Sequence, residues 1–239
     1  MLRQRIFPLL KSAKVHHAAR IADPIQEESL KENCLLVDNN DKVIGSATKR
    51  DCHRVTKGGN ILLHRAFSVF LFDTREELLL QKRSPTKITF PGCFTNTCCS
   101  HPLFDIEEEL VEEGALGIKL AAIRRLHHEL GIPKKELSPD DFKYVTRIIY
   151  KSLGDNIWGE HEIDYVLLIK KDVSIKPNPE EVSEIRFVSK HAFSDFINNL
   201  NEPVTPWFKL IANSKLRLWW DNLDSLEKFM DHKNIHSFS

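Results

Sequence analysis

The sequence predicts a single α+β domain within a chain of 239 residues. Three observations predict it. Apolar segments of strand length lie on both sides of one long segment with helical period, and an aromatic stretch with helical character follows the last strand. No internal repeat or low-complexity linker divides the chain.

The elements follow in order. After the polar stretch 24–32, Cys34-Leu35-Leu36-Val37, the turn Asp38-Asn39-Asn40-Asp41 and Val43-Ile44-Gly45 read as a β-hairpin. His64 to Phe72, rich in Phe and Val and bounded by Asp73-Thr74, reads as a central strand, and Leu78 to Arg83 as its neighbour. Pro85 and Pro91-Gly92 break the pattern, which leaves 84–102 as loop and short strand. The acidic run 105–113 reads as a solvated face. From Ala115, the residues Leu116, Leu120, Ile123, Leu126 and Leu130 fall at helical spacing until Gly131 and Pro133 end the helix. Strands return at 142–151 and 162–170 around Gly154-Asp155-Asn156. A turn at Pro177-Asn178-Pro179 precedes a strand (184–188), a helix (189–199) and an aromatic helical tail from Pro206 to Phe229.

Charge and cysteine usage narrow the function classes. There are 34 basic and 34 acidic residues, so no global field favours nucleic acid or an anionic membrane, and any anion must be held by a local cluster. No apolar run reaches the roughly 18–20 residues that span a bilayer. Five cysteines, an odd number without a Cys-x-x-Cys pair, fit free thiols in a reducing compartment, so a cytoplasmic location is expected. Residues 1–22 carry Arg3, Arg5, Lys11, Lys14 and Arg20 with no acid before Asp23. That pattern describes a mitochondrial transit peptide, or a basic tail or short surface helix. Residues 1–32 are therefore set apart as an extension from a domain spanning 33–239. His236-Ser237-Phe238-Ser239 is not a Ser-Lys-Leu address, so a peroxisomal destination would lack a recognisable signal.

The segment Thr95-Asn96-Thr97-Cys98-Cys99-Ser100-His101-Pro102 is the most informative. In an extended chain Cys99 and His101 share one side, which sets a nucleophile or proton carrier beside a metal ligand or base. A buried core cysteine would account for the same pattern. His53 follows the first hairpin and His64 opens the central strand. In Gly159-Glu160-His161-Glu162, Glu160 and Glu162 alternate onto one face and His161 onto the other. His53, His64, His101, Glu160 and Glu162 would suit an octahedral N/O site for Mg²⁺, Mn²⁺ or Zn²⁺. Glu129 stands in the last helical turn, where the dipole disfavours a carboxylate by a few tenths of a kcal/mol, so a nearby cation or full solvation is implied. Lys49, Arg83, Lys87 and Arg125 could together neutralise a diphosphate, or be surface cations.

Several segments together resemble type I isopentenyl-diphosphate Δ-isomerase. They are Leu62-Leu63-His64-Arg65-Ala66-Phe67-Ser68-Val69-Phe70-Leu71-Phe72, the stretch from Lys87 to Pro102, Ile157-Trp158-Gly159-Glu160-His161-Glu162-Ile163-Asp164-Tyr165, and Thr205-Pro206-Trp207-Phe208-Lys209. The likeness runs from about residue 33 to about residue 233 and implies a Nudix-like mixed β-sheet sandwich with a central helix and C-terminal helices. Arg124, Glu129 and Gly131 keep the Nudix helix pattern, but Arg125 and His128 stand where Nudix hydrolases carry metal-gathering glutamates. A diphosphate hydrolase is therefore the alternative the sequence disfavours, and a non-catalytic relative would have lost Cys99 or Glu162.

The resemblance implies that isopentenyl and dimethylallyl diphosphate interconvert by protonation and deprotonation of the alkene through a tertiary carbocation. Cys99 and Glu162 would carry the protons from opposite sides, Tyr150 would relay beside Glu162, and Trp207 would face the carbocation. Glu162 would also join His53, His64, His101 and Glu160 around a divalent metal. Mg²⁺ on the substrate would bind through Glu129, with Lys49, Arg83, Lys87, Ser100 and Arg125 contacting the diphosphate. The expected partner is a small allylic or homoallylic diphosphate, and the expected state a monomer.

Overall fold

The structure, a computed structural model, describes residues 24–237. The chain runs α1 (Pro24–Ser29), β1 (Asn33–Val37), β2 (Val43–Thr48), α2 (Lys49–His53), β3 (His64–Phe72), β4 (Leu78–Arg83), β5 (Phe94–Thr95) and β6 (Cys98–Ser100). Then come α3 (Leu116–Leu130), β7 (Lys143–Leu153), β8 (Gly159–Lys170), β9 (Val182–Val188), α4 (Phe193–Asn198), α5 (Pro206–Ser214), α6 (Leu216–Trp220) and β10 (Asp231–Ser237).

All positions of β3 are buried, as expected of an apolar strand covered on both faces. One long path of the sheet runs β10-β7-β8-β3-β1-β2, and β4 and β6 also pair with β3. The strand period of two sorts the core into layers. Phe67, Val69 and Leu71 of β3, with Ile163 and Leu167 of β8, pack against Ala122 and Leu126 of α3. Phe70 and Phe72, with Val166 and Leu168, pack against Trp207, Phe208, Trp219 and Trp220 of the C-terminal helices. The expected α+β sandwich with a central helix is thus present.

α3 ends where Gly131 takes φ +63°, and a Cβ there would come within 2.3 Å of the Lys176 carbonyl oxygen. This close approach locks the segment before β9 onto the C-terminal end of α3, next to Glu129.

Four expectations need correction. The helix expected at 189–199 is only α4, six residues long. The aromatic tail is not continuous: α5 and α6 break at Lys215, and Leu223–Phe229 is a 3₁₀ segment. β10, parallel to β7, was not foreseen. The acidic run is not wholly solvated, because Glu109 is buried and receives Arg124 Nε at 2.6 Å.

The basic stretch 1–22 lies outside the described residues. The described part of the extension packs on the domain: Gln26 of α1 and Leu30 just after it are buried, and Arg50 pairs with Glu27. Among the described residues no helix is long and apolar enough to cross a membrane.

Candidate active site

Strand pairing brings the motif residues together. Register sets His64 opposite Glu162 across β3 and β8, and Ser68 opposite Cys99 across β3 and β6. His64 and Ser68 are four residues apart and so share one face. Cys99 and Glu162 therefore rise on the same face from strands flanking β3 on either edge. Cys98 takes the other face and is buried against α3. The pocket between them is lined by Lys49, His53, Arg83, Lys87, Cys99, Ser100, His101, Arg125, Tyr150, Glu160, Glu162 and Trp207, and also by Gln26, Ser29 and Leu30 from the start of the described chain.

At one pole, His53, His64, His101 and Glu162 converge, their ligand atoms all within 4.8 Å of one another. Glu162 Oε1 lies 3.7 Å from His53 Nε2, 3.3 Å from His64 Nε2 and 3.0 Å from His101 Nε2. His53 Nδ1 donates to the Lys49 carbonyl at 2.8 Å and His64 Nδ1 to the Leu62 carbonyl at 2.9 Å. Those backbone bonds fix a proton on Nδ1 of each ring, so both Nε2 atoms face inward, where they can share a cation, whether a metal ion or a proton, with Glu162. His64 Nε2 and His101 Nε2 face each other at 3.2 Å, and buried His101 Nδ1 has no hydrogen-bond partner. Converging lone pairs and a buried carboxylate are costly unless a cation is shared among them. The donor set thus fits a divalent metal.

Glu160, the fifth expected ligand, stands outside that cluster of four and meets it through Tyr150. The Tyr150 hydroxyl lies 2.5 Å from Glu162 Oε2 and 2.9 Å from Glu160 Oε2. One hydroxyl proton cannot serve both carboxylates, so a second proton belongs on Glu160. Burial, and next the Glu162 charge, raise the Glu160 carboxyl well above the usual range. Burial would raise Glu162 too, but hydrogen bonds from His101 and His64 outweigh it and hold that carboxyl well below the usual range. Burial pulls His101 down to about 3, so its ring is neutral at physiological pH.

Cys99 and Trp207 form the middle of the pocket. Burial pushes the Cys99 thiol up to about 12, against the opposing pull of Arg83, so it holds its proton and is not an activated thiolate. Arg83 Nη1 is 3.7 Å from Cys99 Sγ, and its guanidinium lies 5.7 Å from the centre of the Trp207 ring. Arg83 also donates to the Thr89 carbonyl at 2.8 Å. Expected only as a diphosphate contact, it thus also touches the thiol and the indole. Trp207 Nε1 donates to Asn96 Oδ1 at 2.9 Å, while Asn96 Nδ2 donates to the Val69 and Cys98 carbonyls. Asn96 thereby fixes the indole to β3.

The opposite pole is ionic. Arg125 Nη2 is 2.7 Å from Glu129 Oε1, and Gln81 Nε2 donates to Glu129 Oε2 at 3.0 Å. The cation implied beside Glu129 is thus Arg125 itself, and Glu129 stands behind Arg125 rather than on the pocket wall. Lys87 Nζ is 2.7 Å from Glu181, a buried carboxylate that Arg125 and His128 also approach, at 3.4 and 3.3 Å. Burial pulls the Lys87 ammonium down to about 8, with Glu181 opposing.

Sequence reasoning missed four groups. Glu181 sits in an ordinary acidic turn and carries no signal. Arg124 donates to the His101 carbonyl at 3.1 Å and to Glu109 at 2.6 Å, which orients the metal-facing loop. Asp164, two residues beyond Glu162, accepts from Ser68 at 2.8 Å while its other oxygen has no partner. Asn96 was inside the quoted motif without a role. The strand alternation of 160, 162 and 164 could have flagged Asp164.

Comparison with known proteins follows the same lines. Residues 62–208 match the NUDIX domain family. A Bos taurus protein named isopentenyl-diphosphate Delta-isomerase 1 is 52% identical over 217 residues, covering 90% of this chain and 95% of that protein. A Dictyostelium discoideum protein named isopentenyl-diphosphate Delta-isomerase is 47% identical over 221 residues, covering 90% and 92%. A solved Deinococcus radiodurans protein superposes with a TM-score of 0.51 at 16% identity, over 77% of this chain and 99% of that one, a likeness of fold alone.

Proposed function

The chain belongs to the isopentenyl-diphosphate Delta-isomerase family of NUDIX-domain proteins, and from that premise we propose how its pocket moves a double bond. It is an isomerase that interconverts isopentenyl and dimethylallyl diphosphate in isoprenoid biosynthesis. The observation that carries the assignment of roles is the placement of a protonated thiol and an ionised carboxylate on one face, on strands either side of β3.

Isomerisation adds a proton to one carbon of an alkene and removes another two carbons away, through a tertiary carbocation. An unactivated alkene is a very weak base, so the acid must be positioned and the pocket dry. Cys99 and Glu162 are the two proton carriers, and each is the acid in one direction and the base in the other because the reaction is reversible. Tyr150 feeds a proton to Glu162 and is resupplied by Glu160. Trp207 presents its ring to the cation, a contribution of about 2 kcal/mol when desolvated. Held by Asn96, the ring need not reorganise as charge develops.

His53, His64, His101 and Glu162, with Glu160 alongside, would hold a divalent metal, Mg²⁺, Mn²⁺ or Zn²⁺, that fixes Glu162 and sets its acidity. At the other pole Lys49, Arg83, Lys87, Ser100 and Arg125 bind the diphosphate. Glu129, paired with Arg125 behind the pocket wall, would be the carboxylate that meets the substrate's Mg²⁺. Anchoring the head in this way holds the short alkenyl tail between the carriers. All these groups come from one chain, which supports action as a monomer. The five cysteines are free thiols, which supports a cytoplasmic location; sequencing the mature N-terminus would expose any mitochondrial processing.

The deciding experiment incubates purified protein with isopentenyl diphosphate and Mg²⁺ and resolves the products. Dimethylallyl diphosphate is expected. Inorganic phosphate without isomerised product would sink the reading in favour of hydrolysis.

A further inference from the structure

We propose that Glu181 is a positioning residue, which holds Lys87 and Arg125 toward the diphosphate from behind and ties both to α1 on the pocket wall. The proposal rests on the reading of this pocket as a diphosphate isomerase site.

Glu181 is 4% exposed and lies in the turn before β9. Its N–H donates to the Asn178 carbonyl at 3.0 Å, and its own carbonyl accepts from Ser84 N–H at 2.9 Å. Ser84 opens the loop that carries Lys87, and Lys87 N–H returns to the Ser84 carbonyl at 3.1 Å. Backbone bonds alone therefore fix where Glu181 stands relative to Lys87.

The carboxylate divides its oxygens. Oε2 takes Lys87 Nζ at 2.7 Å and Arg125 Nη2 at 3.4 Å. Oε1 takes Gln26 Nε2 at 3.2 Å and His128 Nε2 at 3.3 Å. One carboxylate thus joins the 84–92 loop, α3 and α1.

Lys87, Arg125 and Gln26 line the pocket, whereas Glu181 does not. A counter-ion that competes with substrate would stand in front of the cations. This one stands behind them. Lysine is a point charge on a flexible stem with three donors. Spending one donor on a rear carboxylate aims the ammonium while leaving the other two for phosphate oxygens. Arg125, gripped by Glu129 and Glu181 together, has its plane fixed in the same way.

The charge of Lys87 depends on the same contact. The groups facing it are Glu181 before β9, Arg83 on β4, Lys49 in α2, and Arg125 and Glu129 on α3, while α1 presents neutral Gln26. Of the two carboxylates, Glu181 is the one in contact with the ammonium. Without Glu181, Lys87 loses its proton at lower pH, and a diphosphate loses an ion-pair partner.

The test measures KM and kcat for isopentenyl diphosphate at saturating Mg²⁺ between about pH 6.5 and about pH 9, with calorimetric binding of Mg²⁺-pyrophosphate alongside. E181Q is expected to raise KM about tenfold at neutral pH and weaken pyrophosphate equally, with kcat held within about threefold. Its KM should begin to climb with pH earlier than that of the wild type. E181D keeps the charge but shortens the reach, so it should raise KM less and leave that onset unmoved. An unchanged or lower KM in E181Q, or a loss confined to kcat, would overturn the proposal. Were E181Q not to fold, E181D with wild-type KM would overturn it instead. A wild-type protein that fails to isomerise would undo the reading of the site, and the pyrophosphate arm would still decide the role of Glu181.

Discussion

The two poles of the pocket are built on opposite principles. Around Glu162, three imidazoles turn their Nε2 atoms toward one carboxylate, and one ring nitrogen lies buried without a partner. Around Lys87 and Arg125, two cations are already matched by Glu129 and Glu181. The first pole is short of positive charge and asks for a cation. The second is balanced from behind, by carboxylates that do not line the pocket, which leaves the open side of its cations for the proposed diphosphate. Burial is nearly complete at both, which shows that the pairing of buried groups, rather than burial itself, decides what each pole binds.

The comparison breaks most sharply between the poles, at the two proposed proton carriers. C99A and E162Q should each lower isomerisation of isotopically labelled substrate by at least about 10³-fold, near the upper range for positioned proton transfer. Near-normal turnover in either variant would remove that residue from the mechanism. Next in size is a test that separates the poles directly. H101A should weaken divalent-metal binding by about 100-fold in an equilibrium titration. R125Q should leave that titration unchanged and raise KM instead. A metal titration that responds to R125Q would merge the two poles into one.

A third variant probes the indole that lies between them. W207L should lower kcat about thirtyfold, the equivalent of about 2 kcal/mol of lost cation–π stabilisation. W207F should recover part of it; equal rates for the two would deny the ring an electronic role. The smallest effect is expected at Cys98, on the opposite face from Cys99. C98A should turn over as wild type while losing about 1 kcal/mol of stability in denaturant unfolding, because it leaves a small void against α3. A catalytic defect in C98A would mean that the face assignment is inverted.

Much of this was legible in the sequence where local pattern and tertiary placement agree. The run His64–Phe72 is the central strand, and the helical spacing from Leu116 to Leu130 is α3, ended by the Gly131 that had marked its stop. The converging histidines were found from their odd contexts, although only pairing in register brings His64 against Glu162. What stayed hidden lacks a local signature. β10 reads Asp-His-Lys-Asn-Ile-His-Ser, with no apolar alternation, and is held by edge pairing to β7. Glu109 lies among five other acids between residues 105 and 113, yet only a non-local guanidinium distinguishes it. Glu181 sits beside Glu180 in a turn, and just one of the two points inward. For such residues the deciding partner lies well beyond the local window, 15 positions away for Glu109 and 94 for Glu181 and Lys87.

The placement of Gln26, Ser29 and Leu30 on the pocket wall bears on product purity. A tertiary carbocation is captured by the first water that reaches it, and the result is an alcohol that neither direction of the isomerisation can use. Buried Gln26 and Leu30 fill pocket wall that water would otherwise occupy. An enzyme shortened past Leu30 is therefore expected to leak a hydrated diphosphate, visible as a new species in the product mixture.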